Sequence, residues 1–137
     1  MKRMILLTAM AALVMLQTSC DTQKDPSIFE TWSSPGFTIV DVGFAMTSVV
    51  ITLNSSGTFS LAYQASGPNT QSGTFSPATL PPLTDITFNV LASSGLRVPP
   101  PGSAWLLRYS NLTVTTVDVY FDMNSDGFEG PFVLQKM

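Results

Sequence analysis

Short runs in which apolar and polar residues alternate dominate this chain, and this period of two constrains its fold more than any other feature. Successive side chains of a strand point to opposite faces, so apolar residues at every second position can line one face of a sheet. Four such sets are Val49, Ile51 and Leu53; Phe59, Leu61 and Tyr63; Ile86, Phe88 and Val90; and Trp105, Leu107 and Tyr109. Polar residues occupy the opposite faces, and no segment shows a sustained helical period. The pattern predicts an all-β fold of antiparallel strands with one dry and one wet face.

Glycine, proline, asparagine and serine divide these runs into segments of strand length. Residues 54–57 have the composition of a hairpin turn, and residues 67–69, Gly-Pro-Asn, are expected to begin a second connection. Residues 98–102 contain three prolines, which lack the N–H donor that a strand interior needs. The alternation slips at residues 111–115, which predicts a turn or bulge before a strand over residues 117–122. Consecutive strands joined by such turns form an antiparallel meander.

The first nineteen residues have the three regions of a secretory signal peptide in order. Lys2 and Arg3 precede an uncharged apolar run over residues 4–16, and the small residues Thr18 and Ser19 follow it. An apolar run of this length is shorter than the roughly 20 residues that a helix needs to cross a bilayer. We therefore expect residues 1–19 to direct export and then to be removed.

Cys20 is the only cysteine of the chain, so it cannot form an intramolecular disulfide. Its position after the signal resembles the bacterial lipobox, although Gln17 stands where that pattern usually has leucine. The resemblance implies a lipid on Cys20; the alternative is an ordinary secretory signal cleaved nearby. On the first interpretation, residues 20–27 are a flexible tether and residues 28–137 are a single β domain. The membrane is then a partner through the lipid, and we expect the bacterial outer membrane or cell surface rather than the inner membrane.

Composition excludes several classes of function. Without residues 1–19 the chain has four basic and nine acidic side chains, a net charge of −5, which disfavours nucleic acid as a partner. Histidine is absent, so neither a Ser-His-Asp triad nor a His-rich metal site can be built. The carboxylates available for glycoside cleavage show no pairing in the sequence; they are Glu30, Asp41, Asp85, Asp118 and Glu129. We expect a monomer that is not an enzyme and has no cofactor.

One segment has the first half of a calcium-binding loop. Asp122, Asn124 and Asp126 place oxygen ligands at its first, third and fifth positions, and a glycine follows at the sixth. The twelfth position should be glutamate but is Val133, and Glu129 could complete the set only by a different path. The flanking segments also have strand patterns instead of helical ones. We therefore favour the alternative, a hairpin tip in which these residues supply left-handed backbone angles.

The order of motifs resembles the small lipocalin-like domains of bacterial lipoproteins. The resemblance rests on Trp32, on residues 51–59 and 72–75, and on residues 112–117 and 132–136. It covers nearly all of the chain after the tether. It implies an up-and-down meander of about eight strands, forming a barrel or a barrel-like sandwich with room for an apolar ligand.

Two functions follow as hypotheses. The first is a binding module that holds a small apolar or amphipathic molecule. The second is a surface or envelope protein with a filled barrel that contacts a protein or a glycan through residues 64–72 and 97–103. An aromatic set could line a ligand pocket or simply fill the core; it comprises Trp32, Phe44, Phe59, Tyr63, Phe75, Phe88, Trp105, Tyr109, Phe121 and Phe132.

Overall fold

A computed structural model describes residues 25–39, 43–76 and 85–137 of the chain. The signal peptide, Cys20, the tether up to residue 24 and Asp41 lie outside these residues. Within the described part of the chain, no helix is long and apolar enough to cross a membrane.

Eight strands follow one another along the chain, and each pairs with its sequence neighbours in antiparallel orientation. They are β1 (Thr31–Ile39), β2 (Phe44–Leu53), β3 (Thr58–Gln64), β4 (Pro68–Ser76), β5 (Ile86–Ser94), β6 (Ala104–Ser110), β7 (Thr116–Asp122) and β8 (Glu129–Lys136). The first strand also pairs with the last, so the sheet closes into a barrel. The expected fold, an all-β antiparallel meander, is confirmed, and it is a barrel and not a sandwich.

The alternating apolar sets fill the barrel, because all four predicted sets are buried. Their aromatic members pack against one another at the centre. The ring of Phe88 stacks on that of Trp105 with 4.4 Å between centroids, and the ring of Phe59 meets Phe88 edge-on at 4.6 Å. Phe121 lies 5.7 Å from Trp105 on the other side. Such ring pairs stabilise the core beyond the burial of their area.

Of the predicted aromatic set, Phe132 is only partly buried, and the side chain of Phe44 lies outside what the structure describes. The partly buried ring of Phe37 stacks on Phe132 with 4.2 Å between centroids. This contact lies where β1 and β8 separate, since these strands pair only at Trp32 with Lys136 and at Ser33 with Gln135. The contact between Phe37 and Phe132 therefore joins β1 and β8 where these two strands are not paired through their backbones.

One connection differs from the sequence-based expectation. Pro68 and Asn69 belong to β4 and pair with Gln64 and Tyr63, so only residues 65–67 form the turn. A proline is tolerated here because it is the first residue of its strand. The hypothesis that residues 64–72 form one contact loop was therefore wrong. The expected turn at residues 111–115 is confirmed.

Because strand direction alternates, the described connections gather at two ends of the barrel. The terminal end carries residues 28–30, the turns 54–57 and 111–115, and the C-terminus. There Ile28 is buried against the core, and its main-chain oxygen accepts a hydrogen bond of 3.0 Å from Trp32 Nε1. The opposite end, which we call the loop end, carries residues 65–67, 95–103 and 123–128. The chain thus enters and leaves the barrel at the terminal end.

Candidate functional site

A cleft of about 350 Å³ opens at the loop end of the barrel. Tyr63 of β3 and Met123, which follows β7, form part of its wall, and the β5–β6 loop forms the rest. The loop contributes Leu96, Arg97, Val98, Pro99, Pro100 and Ser103. This volume is within the range of small-molecule sites, roughly 300–1,000 Å³.

The β5–β6 loop is held over the barrel by the side chain of Asn69, which is 1% exposed. Its Nδ2 donates hydrogen bonds to the main-chain oxygens of Ala65 at 2.9 Å and Gly67 at 2.8 Å. Its Oδ1 accepts a hydrogen bond of 2.9 Å from the main-chain N–H of Arg97. One buried amide therefore ties the β3–β4 turn to the loop that forms most of the cleft.

Tyr63 gives the loop a second attachment, because its hydroxyl donates a hydrogen bond to the main-chain oxygen of Arg97. Burial raises the pKa of Tyr63 from 10.0 to about 12. The phenol is thus neutral at physiological pH and serves as a donor. Tyr63, Leu96, Val98 and Met123 make the cleft mainly apolar, and Arg97 and Ser103 add polar groups. Such a lining is suited to binding, and the described residues of the cleft include no nucleophile paired to a base.

Glycine at position 95 is required where the β5–β6 loop begins. Its backbone has φ +125°, and an added Cβ would lie 2.3 Å from Asn69 Oδ1 and 2.8 Å from the main-chain oxygen of Pro68. Glycine alone adopts this conformation without strain and leaves room for the amide. The dipeptide Ser94-Gly95 indicates a turn in the sequence. The reason that this position must be glycine is the contact with Asn69, which is distant in the chain.

The predicted calcium-binding residues form a hydrogen-bonded turn. Asp122 Oδ1 accepts a hydrogen bond of 2.7 Å from the main-chain N–H of Ser125, and Asn124 Nδ2 donates one of 2.9 Å to Asp126 Oδ2. Ser125 has a left-handed backbone with φ +65°. Among the described residues, no three acidic, histidine or cysteine side chains are grouped so that they could hold a metal ion. The turn has the left-handed backbone of the hairpin tip that we favour from the sequence, calcium binding stays a prediction, and Glu129 lies in β8 instead of in the turn.

The predicted carboxylates are held apart by separate partners. Glu30 forms an ion pair of 2.7 Å with Lys136, and Asp85 one of 2.7 Å with Arg108. Asp118 Oδ2 accepts a hydrogen bond of 2.7 Å from Asn111. The guanidinium of Arg108 also lies 4.2 Å from the centre of the Phe128 ring. Each of these carboxylates thus has a structural contact at the barrel surface.

A polar pair inside the barrel was missed by sequence reasoning. Gln71, 2% exposed, accepts a hydrogen bond of 2.9 Å from Trp105 Nε1 through its Oε1. Its Nε2 is buried with no hydrogen-bond partner in the structure. The alternation of β4 could have signalled this, because Gln71 lies four residues before Phe75 and therefore on the same, inward face of the strand.

The described residues form other clefts on the barrel as well. One of about 300 Å³ follows the outer wall of β2 to β5 and is lined by small uncharged residues such as Ser60, Ala62 and Ala92. Another of about 320 Å³ lies along the β1–β2 hairpin near Gly36. The first has no aromatic residue in its lining, and neither has a charged one, whereas the loop-end cleft combines Tyr63, aliphatic side chains and Arg97. Comparisons of the chain with protein-family models, curated proteins and solved structures give no match.

Proposed function

We propose that this protein is a lipid-anchored cell-envelope protein that binds a small apolar or amphipathic molecule at the loop end of its barrel. The observation that carries the proposal is the cleft formed by Tyr63, Met123 and the β5–β6 loop. The aromatic core occupies the centre of the barrel, so the candidate ligand site moves from the interior, where the lipocalin-like resemblance would put it, to one end.

The signal-like N-terminus and the position of Cys20 support the anchor. The first buried residue of the described chain is Ile28, which leaves seven residues between Cys20 and the barrel. A short polar segment of this kind suits a tether. Several acyl chains on one terminus give stable membrane attachment, whereas one chain is marginal.

Mass spectrometry of the mature N-terminus tests the anchor directly. Protein from bacterial membranes should begin at Cys20 and carry the added mass of the lipid. The Cys20→Ser variant should be lost from the membrane fraction. Unmodified Cys20 in the membrane fraction would contradict the proposal.

Native mass spectrometry of protein purified from its own host tests the binding function, because a bound small molecule should appear as a reproducible added mass.

The second hypothesis, a surface protein that contacts a protein or glycan through its loops, is favoured by the filled core. Its candidate surface is the same β5–β6 loop, in which Leu96 is 85% exposed. The two hypotheses differ in partner size. If cross-linking from this loop in intact cells captures the same protein reproducibly and no small molecule co-purifies, the second hypothesis replaces the first.

A further inference from the structure

The size and the position of the loop-end cleft restrict what it can bind. Resting on the proposed function, we propose that its ligand is a small amphipathic molecule of about a dozen non-hydrogen atoms that arrives from the aqueous side away from the anchoring membrane. A phospholipid taken from that membrane is the occupant that the geometry disfavours.

The volume sets the size of the ligand. The cleft of about 350 Å³ holds about twelve groups the size of a water molecule, at about 30 Å³ each. The two acyl chains of a bilayer lipid are each about 15 Å long, half of a hydrocarbon core of about 30 Å, and together they exceed this number of groups. Because the cleft is open to solvent, this volume is the part of a ligand that it can cover: it covers a short chain or a single ring system and would leave most of a two-chain lipid in water.

The path of the chain sets the direction of approach. The N-terminal segment joins the barrel at the terminal end, where Glu30 pairs with Lys136 and the main-chain N–H of Met137 bonds Thr31. The cleft lies at the other end of strands such as β1, which has nine residues. At about 3.3 Å per residue and a tilt of about 40°, the ends are about 20–25 Å apart.

The tether is too short to reverse this orientation readily. The seven residues between Cys20 and Ile28 can reach at most about 25 Å. To bring the loop end to the membrane, the tether would have to run the length of the barrel, about 20–25 Å, at nearly its full extension. The cleft consequently faces water or structures beyond the membrane.

The lining fits an amphipathic ligand. Leu96, Val98 and Met123 offer aliphatic contact, and the flexible thioether of Met123 adapts to ligands of different shape. Arg97 brings a positive charge to the same cleft, and the hydroxyl of Ser103, which donates a hydrogen bond of 2.6 Å to the main-chain oxygen of Pro100, can accept one from a polar head group. Leu96 is 85% exposed, so a bound chain would cover apolar surface that is otherwise in water.

Sodium decanoate, with twelve non-hydrogen atoms, is a suitable probe of the ligand class. Titration of the mature chain, followed by amide NMR shifts, should move Tyr63, Val98 and Ser103. Leu96→Ser should weaken decanoate binding about fivefold. Leu91→Ser is the matched control, because Leu91 on β5 is 66% exposed but does not line the cleft, and it should leave binding unchanged. Equal effects of the two variants, or no shifts at the cleft, would overturn the ligand assignment.

Energy transfer to a headgroup-labelled lipid tests the orientation in vesicles that carry the lipidated chain. A dye on Ser55→Cys, at the terminal end, should transfer more efficiently than a dye on Asn124→Cys, at the loop end. Equal or reversed efficiencies on co-floating protein would refute the orientation, as would a phospholipid retained in the cleft by native mass spectrometry. A chain that does not float with vesicles at all would instead refute the anchor and the proposed function.

Discussion

Asn69→Ala should strongly destabilise the protein, because three hydrogen bonds of one buried amide hold the candidate site together. The variant removes the contacts to the main-chain groups of Ala65, Gly67 and Arg97. The oxygen of buried Ala65 is then left without its partner, whereas the exposed Gly67 and Arg97 can turn to water. At about 1 kcal/mol for each lost bond, and more for the stranded oxygen, the free energy of unfolding should fall by about 3 kcal/mol.

Urea denaturation measures this loss. For a domain of this size, with a slope of about 1.5 kcal/mol per M, the midpoint should fall by about 2 M. Asn89→Ala is the matched control, because Asn89 is exposed on β5 and its replacement should change stability by less than about 0.5 kcal/mol. If both variants have the same midpoint, the loop is held by other contacts and the argument for a preformed cleft fails. Asn69→Ala should also weaken decanoate binding beyond the effect of Leu96→Ser.

Three further outcomes are expected. The unfolded chain loses the Tyr63 proton near pH 10 and the folded chain near pH 12. The free energy of unfolding should therefore be constant below pH 10 and fall as the pH rises toward 12. The urea midpoint should accordingly be lower at pH 11 than at pH 8, and Tyr63→Phe should make this difference smaller. Gly73→Ala should lower the melting temperature far more than Gly102→Ala. At Gly73 an added Cβ lies 1.9 Å from a main-chain oxygen of β5, whereas at Gly102 it meets nothing within 4 Å and costs only the strain of φ +91°. Trp105→Phe should lower the free energy of unfolding by about 1–3 kcal/mol, because it leaves the buried Oε1 of Gln71 without its donor. Adding Gln71→Leu should restore part of this loss in thermal melts. If the effects of the two substitutions simply add, the two side chains do not interact.

The fold class could be predicted because its signal is local. Apolar residues at every second position, such as Phe59, Leu61 and Tyr63, determine which face of a strand is buried, and all of them are buried as expected. Turns were predicted where glycine or a shift in the alternation supplies a backbone reason. Gly67 lies in a turn as predicted, but Pro68 and Asn69 were assigned to the connection incorrectly. Proline is excluded from a strand interior but not from the first position of a strand, and only pairing with β3 distinguishes the two.

The candidate site was predicted only in part. The loop 97–103 could be named from its prolines and Tyr63 from the aromatic pattern, but the contacts that Tyr63 and Asn69 make with this loop could not. Asn69 shows in the sequence as a turn residue, and its amide becomes a clamp because β4 brings it to within 2.9 Å of the N–H of Arg97, which is 28 residues away. The calcium hypothesis likewise depended on residue order alone, and the folded turn directs Asp122 and Asn124 into hydrogen bonds within the turn.

The sequence by itself determined the strand periodicity, the absence of histidine chemistry and the position of Cys20 after a signal-like segment. Each of these features depends only on neighbouring residues or on composition, and both are explicit in the sequence. Only the tertiary structure decided that the barrel closes, that aromatic rings fill its centre, and that the cleft lies at the end opposite the N-terminus. These features depend on the pairing register of eight strands, and register brings together residues that the linear order keeps apart.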